Sequence, residues 1–234
     1  AGATLNTGVG FDALKNIAGG DYNTAIGARA LKEIEAGESY NTAIGATAMQ
    51  SVKIGDHGSS VVSENIAIGL STLTAADFEG NEVVLNYNVA VGNNALSNTG
   101  TNSQTGTVGV GHSALKDLTS GAKNMAVGYQ ALDSMQTGEG NVALGYNALK
   151  GANHADADNN IAIGAGAMDG VSTNGAANHI AIGTDALGGS LTGDTNIAIG
   201  YQSSLTMGSG GENISIGYQS LKLLATGHNN IAIG

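Results

Sequence analysis

Asn160-Ile161-Ala162-Ile163-Gly164 returns as Asn196-Ile197-Ala198-Ile199-Gly200 and again as Asn230-Ile231-Ala232-Ile233-Gly234. Longer versions, Asn124 to Leu132 and Asn213 to Leu221, carry the phrase on to a Leu four residues past the Gly. Working outward, the Gly falls at Gly10, Gly27, Gly45, Gly69, Gly92, Gly111, Gly128, Gly145, Gly164, Gly183, Gly200, Gly217 and Gly234. The shortest interval is 17 residues, and six of the twelve intervals have that length. Seventeen residues therefore complete one unit, and longer intervals carry insertions.

Each position of the unit has a physical reading. The residue before the Gly is β-branched in every copy but one, Leu144, and the residue two earlier is aliphatic or Thr. β-Branched residues at period 2 define one face of a strand. Burial of that face is the expectation, with the Asn-Ala-Gly face opposite it divided evenly between packing inside its own coil and contact with another subunit. Leu or Met stands four residues after the Gly in eleven of twelve units, and Ser204 is the exception. That spacing suits a helical or 3₁₀ turn, and a polar return rich in Gly, Thr and Asn leads to the next Asn. Such units bury nothing alone and must stack. The fold expected is an all-β parallel β-solenoid, or β-roll, of about thirteen 17-residue repeats with short helical or 3₁₀ turns. One repeat domain is expected over residues 1–234, with extended loops at 46–64 and 70–87. Asn heads eleven units, with Thr107 and His179 in its place elsewhere, and a stacked amide ladder is expected.

Composition agrees. The 234 residues include 38 Gly but no Pro, Cys or Trp, so disulfides and thiolate sites are excluded. A Pro would remove a donor from a strand paired on both sides. Net charge is −11, with 8 Lys plus Arg, which argues against a phosphate-tracking groove and so against nucleic acid. No run approaches 18 apolar residues, so membrane insertion is not expected. The start, Ala1-Gly2-Ala3, lacks Met and a signal-peptide pattern, and a partial chain is expected.

From Asn6 to Gly234 the repeat resembles those of bacteriophage tail-fibre shafts and phage-like adhesive fibres. It is also similar to the heads of trimeric autotransporter adhesins of the YadA type, whose repeat is shorter and differs after the Gly. The resemblance implies a homotrimer, located outside the cell on a cell surface or virion, that presents a surface to a glycan or protein receptor. Three other classes are weighed beside it: a receptor-free structural filament, an ice-binding solenoid and a tail-spike-like glycan hydrolase. The acidic residues sit in returns and turns without an aromatic platform, so no enzyme, no catalytic residue and no cofactor is expected.

Several candidate contacts stand out. Tyr129, Tyr146, Tyr201 and Tyr218 follow the Gly, while Tyr22, Tyr40 and Tyr87 precede the Asn. The first four, with Lys53, His57 and Phe78 of the long intervals, are candidate binding residues. Shielding of coil corners is the plainer role for the tyrosines. His154, Asp156 and Asp158 alternate and form a weak metal candidate set against a solvated loop. Lys15, Lys32, Lys116, Lys150 and Lys222 follow the Leu and are expected to lie over the turn.

Overall fold

The computed structural model describes residues 4–17, 19–33, 38–51, 61–74, 84–100, 103–151, 157–170 and 177–234. The chain divides into two compact units, Ala1–Lys123 and Asn124–Gly234. The first holds β1 (Thr7–Val9), β2 (Thr24–Ile26), β3 (Thr42–Ile44), β4 (Val61–Ser63), β5 (Ile66–Ile68), β6 (Val84–Asn86), β7 (Val89–Val91), β8 (Gln104–Thr105) and β9 (Val108–Val110). The second holds β10 (Met125–Val127), β11 (Val142–Leu144), β12 (Ile161–Ile163), β13 (Ile180–Ile182), β14 (Ile197–Ile199), β15 (Ile214–Ile216) and β16 (Ile231–Ile233). In the first unit β1, β2, β3, β5, β7 and β9 pair in that order, and in the second β10 to β16 pair consecutively, all parallel. Register follows the repeat, with Ala181 opposite Ala198 and Ile182 opposite Ile199. The chain is a parallel β-solenoid, with one coil per repeat and no helix among the described residues. β4, β6 and β8 form a second parallel sheet, so the long intervals end in strands that bury Val62 and Leu85.

The aliphatic face lies outward, against the expectation, and the Ala face takes the interior one of its two expected places. The central Ala of each internal strand, such as Ala25, Ala90, Ala143 and Ala198, is completely buried. The aliphatic residues on either side are half-buried or exposed, and Ile26 keeps 39% of its surface. The cause is the thinness of the coil. Gly109 occupies an Ala position, and a Cβ built there would lie 3.6 Å from the Leu96 side chain and 3.7 Å from that of Leu115. The Leu column therefore already faces the strand from across the coil. One layer of Leu against one layer of Ala fills the interior, and an Ile in place of the Ala would overpack it.

The Leu turn is not helical either. Gly45 O accepts from Ala48 N, and Thr47 O accepts from Gln50 N at 3.3 Å. Thr47 and Met49 each sit third in these four-residue turns with φ of 58° and 49°. These are two overlapping turns of type II form. Every inward residue of the Leu column is thus left-handed, from Leu14 to Leu221, at a cost of roughly 1–2 kcal/mol apiece. Full burial of a Leu returns roughly 1.5–3 kcal/mol. The conformation also turns the Leu backbone N–H toward the next coil, so Leu149 N donates to Ala167 O at 2.8 Å.

A buried polar spine runs beside the Ala column. Asn141 Oδ1 accepts from the backbone N–H and the side-chain amide of Asn160, at 3.0 and 3.1 Å. Asn141 Nδ2 donates to Asn124 Oδ1 and to Ala157 O. The same rungs link Asn6, Asn23, Asn41, Asn65, Asn88 and Thr107 in the first unit. The amide ladder is present, and it lies inside the coil.

Candidate functional site

Outward-facing residues alternate with the buried Asn and Ala. In Tyr22-Asn23-Thr24-Ala25-Ile26 the pattern is exposed, buried, half-buried, buried, exposed, and Ala28 beyond the corner Gly is exposed again. Four outward columns result. Two central columns, aliphatic but for Thr7, Thr24 and Thr42, contain Ile66, Ile68, Met125, Val127, Ile161 and Ile163 among others, with no charged residue. They make an apolar strip along the principal sheet of each unit. One flanking column precedes the Asn, and the other follows the Gly. Monomeric soluble domains rarely expose contiguous apolar patches of more than a few hundred Å².

The tyrosines sit in the flanking columns and stack along them. Tyr22 and Tyr40 have centroids 5.0 Å apart and planes 5° from parallel. Tyr129 stacks on Tyr146 at 5.4 Å, and Tyr201 on Tyr218 at 5.4 Å. All are exposed. Each stack covers one face of each paired ring, and a sugar ring docks on an open aromatic face. Lys53, His57, Phe78, His154 and Asp156 lie outside the described residues.

Asp158 is described, and its carboxylate is engaged: Oδ1 accepts from Glu139 N at 2.7 Å. It belongs to an outer ladder that the sequence reading missed. Two residues before the Asn, a short acceptor caps the backbone N–H of the preceding coil at the same position. Asp21 caps Thr4, Ser39 caps Asp21, Ser63 caps Ser39, Asn86 caps Ser63 and Asp194 caps Ala177. The hydrogen bonds from Thr4 hold the Asp21 carboxyl below its usual range. The recurrence of Asp, Ser and Asn at that offset was a legible signal. His228 is another member, its Nδ1 accepting from Gly211 N at 3.2 Å. Among the described residues no three His, Asp or Glu side chains converge as a metal site.

His179 replaces an Asn of the buried spine and copies its hydrogen bonding. Its backbone N donates to Asn160 Oδ1, and its Nδ1 accepts from Asn196 N at 3.0 Å. Only the neutral ring with a bare Nδ1 performs that role. Burial pushes its pKa down to about 4, against weaker opposing effects from Asp194 and from hydrogen bonds with Asn196 and Gly193. Elsewhere, burial and the neighbouring Asp185 raise the Asp169 carboxyl. The lysines after the Leu make local surface pairs, Lys15 with Asp12 and Lys116 with Asp117, worth little in water.

The fold and surface define a class, the parallel β-solenoid whose core lies within the coil and whose aliphatic sheet face lies outside it. The chain matches no protein-family model, no curated protein and no solved structure.

Proposed function

We propose that this chain is a segment of an extracellular fibre, a phage tail fibre or bacterial surface adhesin, and that it works as a homotrimer without enzymatic activity. The observation that carries the reading is the uncharged aliphatic strip on the outside of every coil. Coils lie about 4.8 Å apart, and the outward columns span at most about 20 Å, so seven coils offer roughly 650 Å². Standard interfaces cover about 800 Å² per partner. Three faces about 20 Å wide, each the apolar strip with its two flanking columns, close a triangle whose centre lies about 6 Å from each, close to the 5 Å that each sheet contributes to a sheet-on-sheet core. Four would leave a hole about 10 Å across on the same spacing. Attachment to a cell-surface glycan or protein falls to what the fibre displays on its outer side.

The test is sedimentation equilibrium of the wild-type chain and of an Ile161→Lys, Ile163→Lys double variant. A trimeric wild type and a monomeric variant that keeps its far-UV circular dichroism support the reading. A wild type that stays monomeric at high concentration overturns it, and a receptor-free monomeric solenoid replaces it.

A further inference from the structure

We infer that the second unit carries an acid-sensitive seam between β13 and β14, at which the coils from Asn196 onward open as one piece ahead of β10 to β13. The inference is independent of the self-association proposed above. Proteins open in contiguous cooperative pieces, and a break falls where neighbouring levels hold each other least.

The strand ladder is alike at every level, so the side chains inside the coil set the differences. Two devices tie one level to the next there. In the first, a spine Asn donates its side-chain amide to Oδ1 of the Asn before it: Asn141 to Asn124, Asn160 to Asn141, Asn213 to Asn196 and Asn230 to Asn213, at 2.9 to 3.1 Å. In the second, the buried Leu column continues through Leu132, Leu149, Met168 and Leu187. His179 has neither a side-chain amide nor an Oδ1, so the first device is missing from β12 to β13 and from β13 to β14. Only backbone N–H groups reach Asn160 Oδ1 and His179 Nδ1 at those steps. Ser204 interrupts the second device from β13 to β14 and from β14 to β15. The step from β13 to β14 is thus the one level of the second unit at which both are lost.

The serines that replace the Leu work on the far side of the seam. Ser203 and Ser204 hydroxyls meet that of Ser215 at 2.6 and 2.7 Å, and Ser220 Oγ donates to Ala232 O at 3.2 Å. These bonds join the coil of β14 to that of β15, and β15 to β16, and none of them reaches back to β13. The side-chain bonds that do cross the seam, besides that of His179, lie toward the surface: Ala177 N to Asp194 Oδ1, Gln202 Nε2 to Asp185 Oδ2 and Thr192 Oγ1 to Gly208 O, at 3.2 to 3.4 Å.

Acid acts on the interior hydrogen bond that the His179 ring makes across the seam. Asn196 N donates to His179 Nδ1 at 3.0 Å. A proton on Nδ1 sets a donor against a donor, and the bond is lost. In the open form the ring meets water and takes that proton freely. Asp194, on the coil of β14, is the charged group that favours the charged ring, and burial outweighs it. On the coil before, the Asp158 carboxylate is turned away, its Oδ1 accepting from Glu139 N. The closed ring titrates at about 4 and a solvated one near 6.5, so each step of one pH unit between them favours opening about tenfold, up to about 300-fold in all. Opening frees the paired edge of β13 and uncovers Leu187 and Leu191, both buried in the closed form.

Native-state hydrogen exchange read by mass spectrometry tests this on the intact chain. At neutral pH the amides of β14 and β15 should exchange at one common rate, faster than those of β11 to β13, with a step between Ile182 and Ile197. Fraying from the chain end gives instead a gradient that falls from β15 through β14 to β13. Such a gradient without a step, or equal rates on both sides of the seam, overturns the inference. As pH drops from about 6.5 to 4, and after correction for the intrinsic exchange rate at each pH, opening of β14 and β15 should rise by up to about 300-fold in the wild type. It should stay level in His179→Asn, which restores the amide rung, and a His179→Asn chain that keeps the acid response also overturns the inference. The variant Ser204→Leu with Ser215→Ala restores the Leu column. It should slow exchange in β14 and β15 together, leave β11 to β13 unchanged and keep the acid response. If that variant fails to fold, the wild-type step and the His179→Asn comparison decide the matter.

Discussion

Replacing Gly164 with Ala should destabilise the protein far more than replacing Gly106, although both residues have positive φ. Gly164 sits at φ 133°, and a Cβ there would lie 2.6 Å from Gly183 O and 2.7 Å from Gly183 C. Neither atom is free to retreat. Gly183 O accepts from Ala186 N to close its own turn, and Gly183 N donates to Ile163 O at 2.7 Å. The forced dihedral costs roughly 1–3 kcal/mol. Displacing packed backbone adds roughly 1–3 kcal/mol more. At about 2–4 °C per kcal/mol for a chain of this size, the melting temperature should fall by about 10 °C. Gly106, at φ 66°, has nothing within 4 Å of its added Cβ. Gly106→Ala bears only the left-handed penalty, about 1 kcal/mol, for a fall of a few degrees. Thermal melts followed by circular dichroism measure both. Equal losses would show that the close approach of successive Gly corners contributes nothing beyond the dihedral.

The reversed strand faces predict that Ala162→Asp unfolds the second unit, since an unpaired charge in a dry interior costs several kcal/mol, whereas Ile163→Asp leaves a folded chain. Melts under conditions where the chain is dissociated compare them, and a larger loss at Ile163 would refute the burial assignment. His179 predicts an acid-sensitive rung. Its folded pKa of about 4 lies below the unfolded value near 6.5, so the unfolded chain takes up the proton first and stability falls as pH drops through that window. The loss is on the order of 3 kcal/mol, complete near pH 4. His179→Asn restores the amide spine and should remove that component, so melting temperatures of the two proteins should diverge between pH 7 and 4. Parallel curves would show that the ring titrates without penalty.

The repeat length, the strand positions, the Gly corners and the Asn ladder were all legible, because each leaves a mark at a fixed offset every coil. The inside of the coil was not. Alternation in Ile161-Ala162-Ile163 reports two faces without saying which is enclosed, and the usual preference for burying Ile points the wrong way. The deciding information is the distance across the coil, set by a Leu that occupies the same interior. One coupled substitution did record it. The single unit that loses its Leu, at Ser204, is followed by the one strand of the principal sheets whose central residue is polar, at Ser215. Those hydroxyls meet at 2.7 Å, with Ser203 Oγ 2.6 Å from Ser215 Oγ. Polar residues exchanged together must face each other, and so the Ala column must face the Leu column. The left-handed Leu was hidden for a different reason. Its local preference favours a helical turn, and the bond that overrides it, from Leu149 N to Ala167 O, belongs to the next coil.

Placing the Ile columns outside alters what the molecule requires. A coil that encloses one Leu, a few Ala and an Asn gains little from apolar burial, and its cohesion leans on ladder bonds repeated at every level. Those bonds hold successive coils together but do nothing for the two outward columns, aliphatic but for Thr7, Thr24 and Thr42. Water contact with those rows is unfavourable at about 25 cal/mol per Å², and no charge interrupts them to keep copies apart. Thr, which tolerates water and suits a strand, takes one of these positions in only three coils, at Thr7, Thr24 and Thr42. An aliphatic residue before the Gly corner in all thirteen repeats fits the proposed homotrimer, in which the covering surface is an identical strip and each coil needs to match only itself.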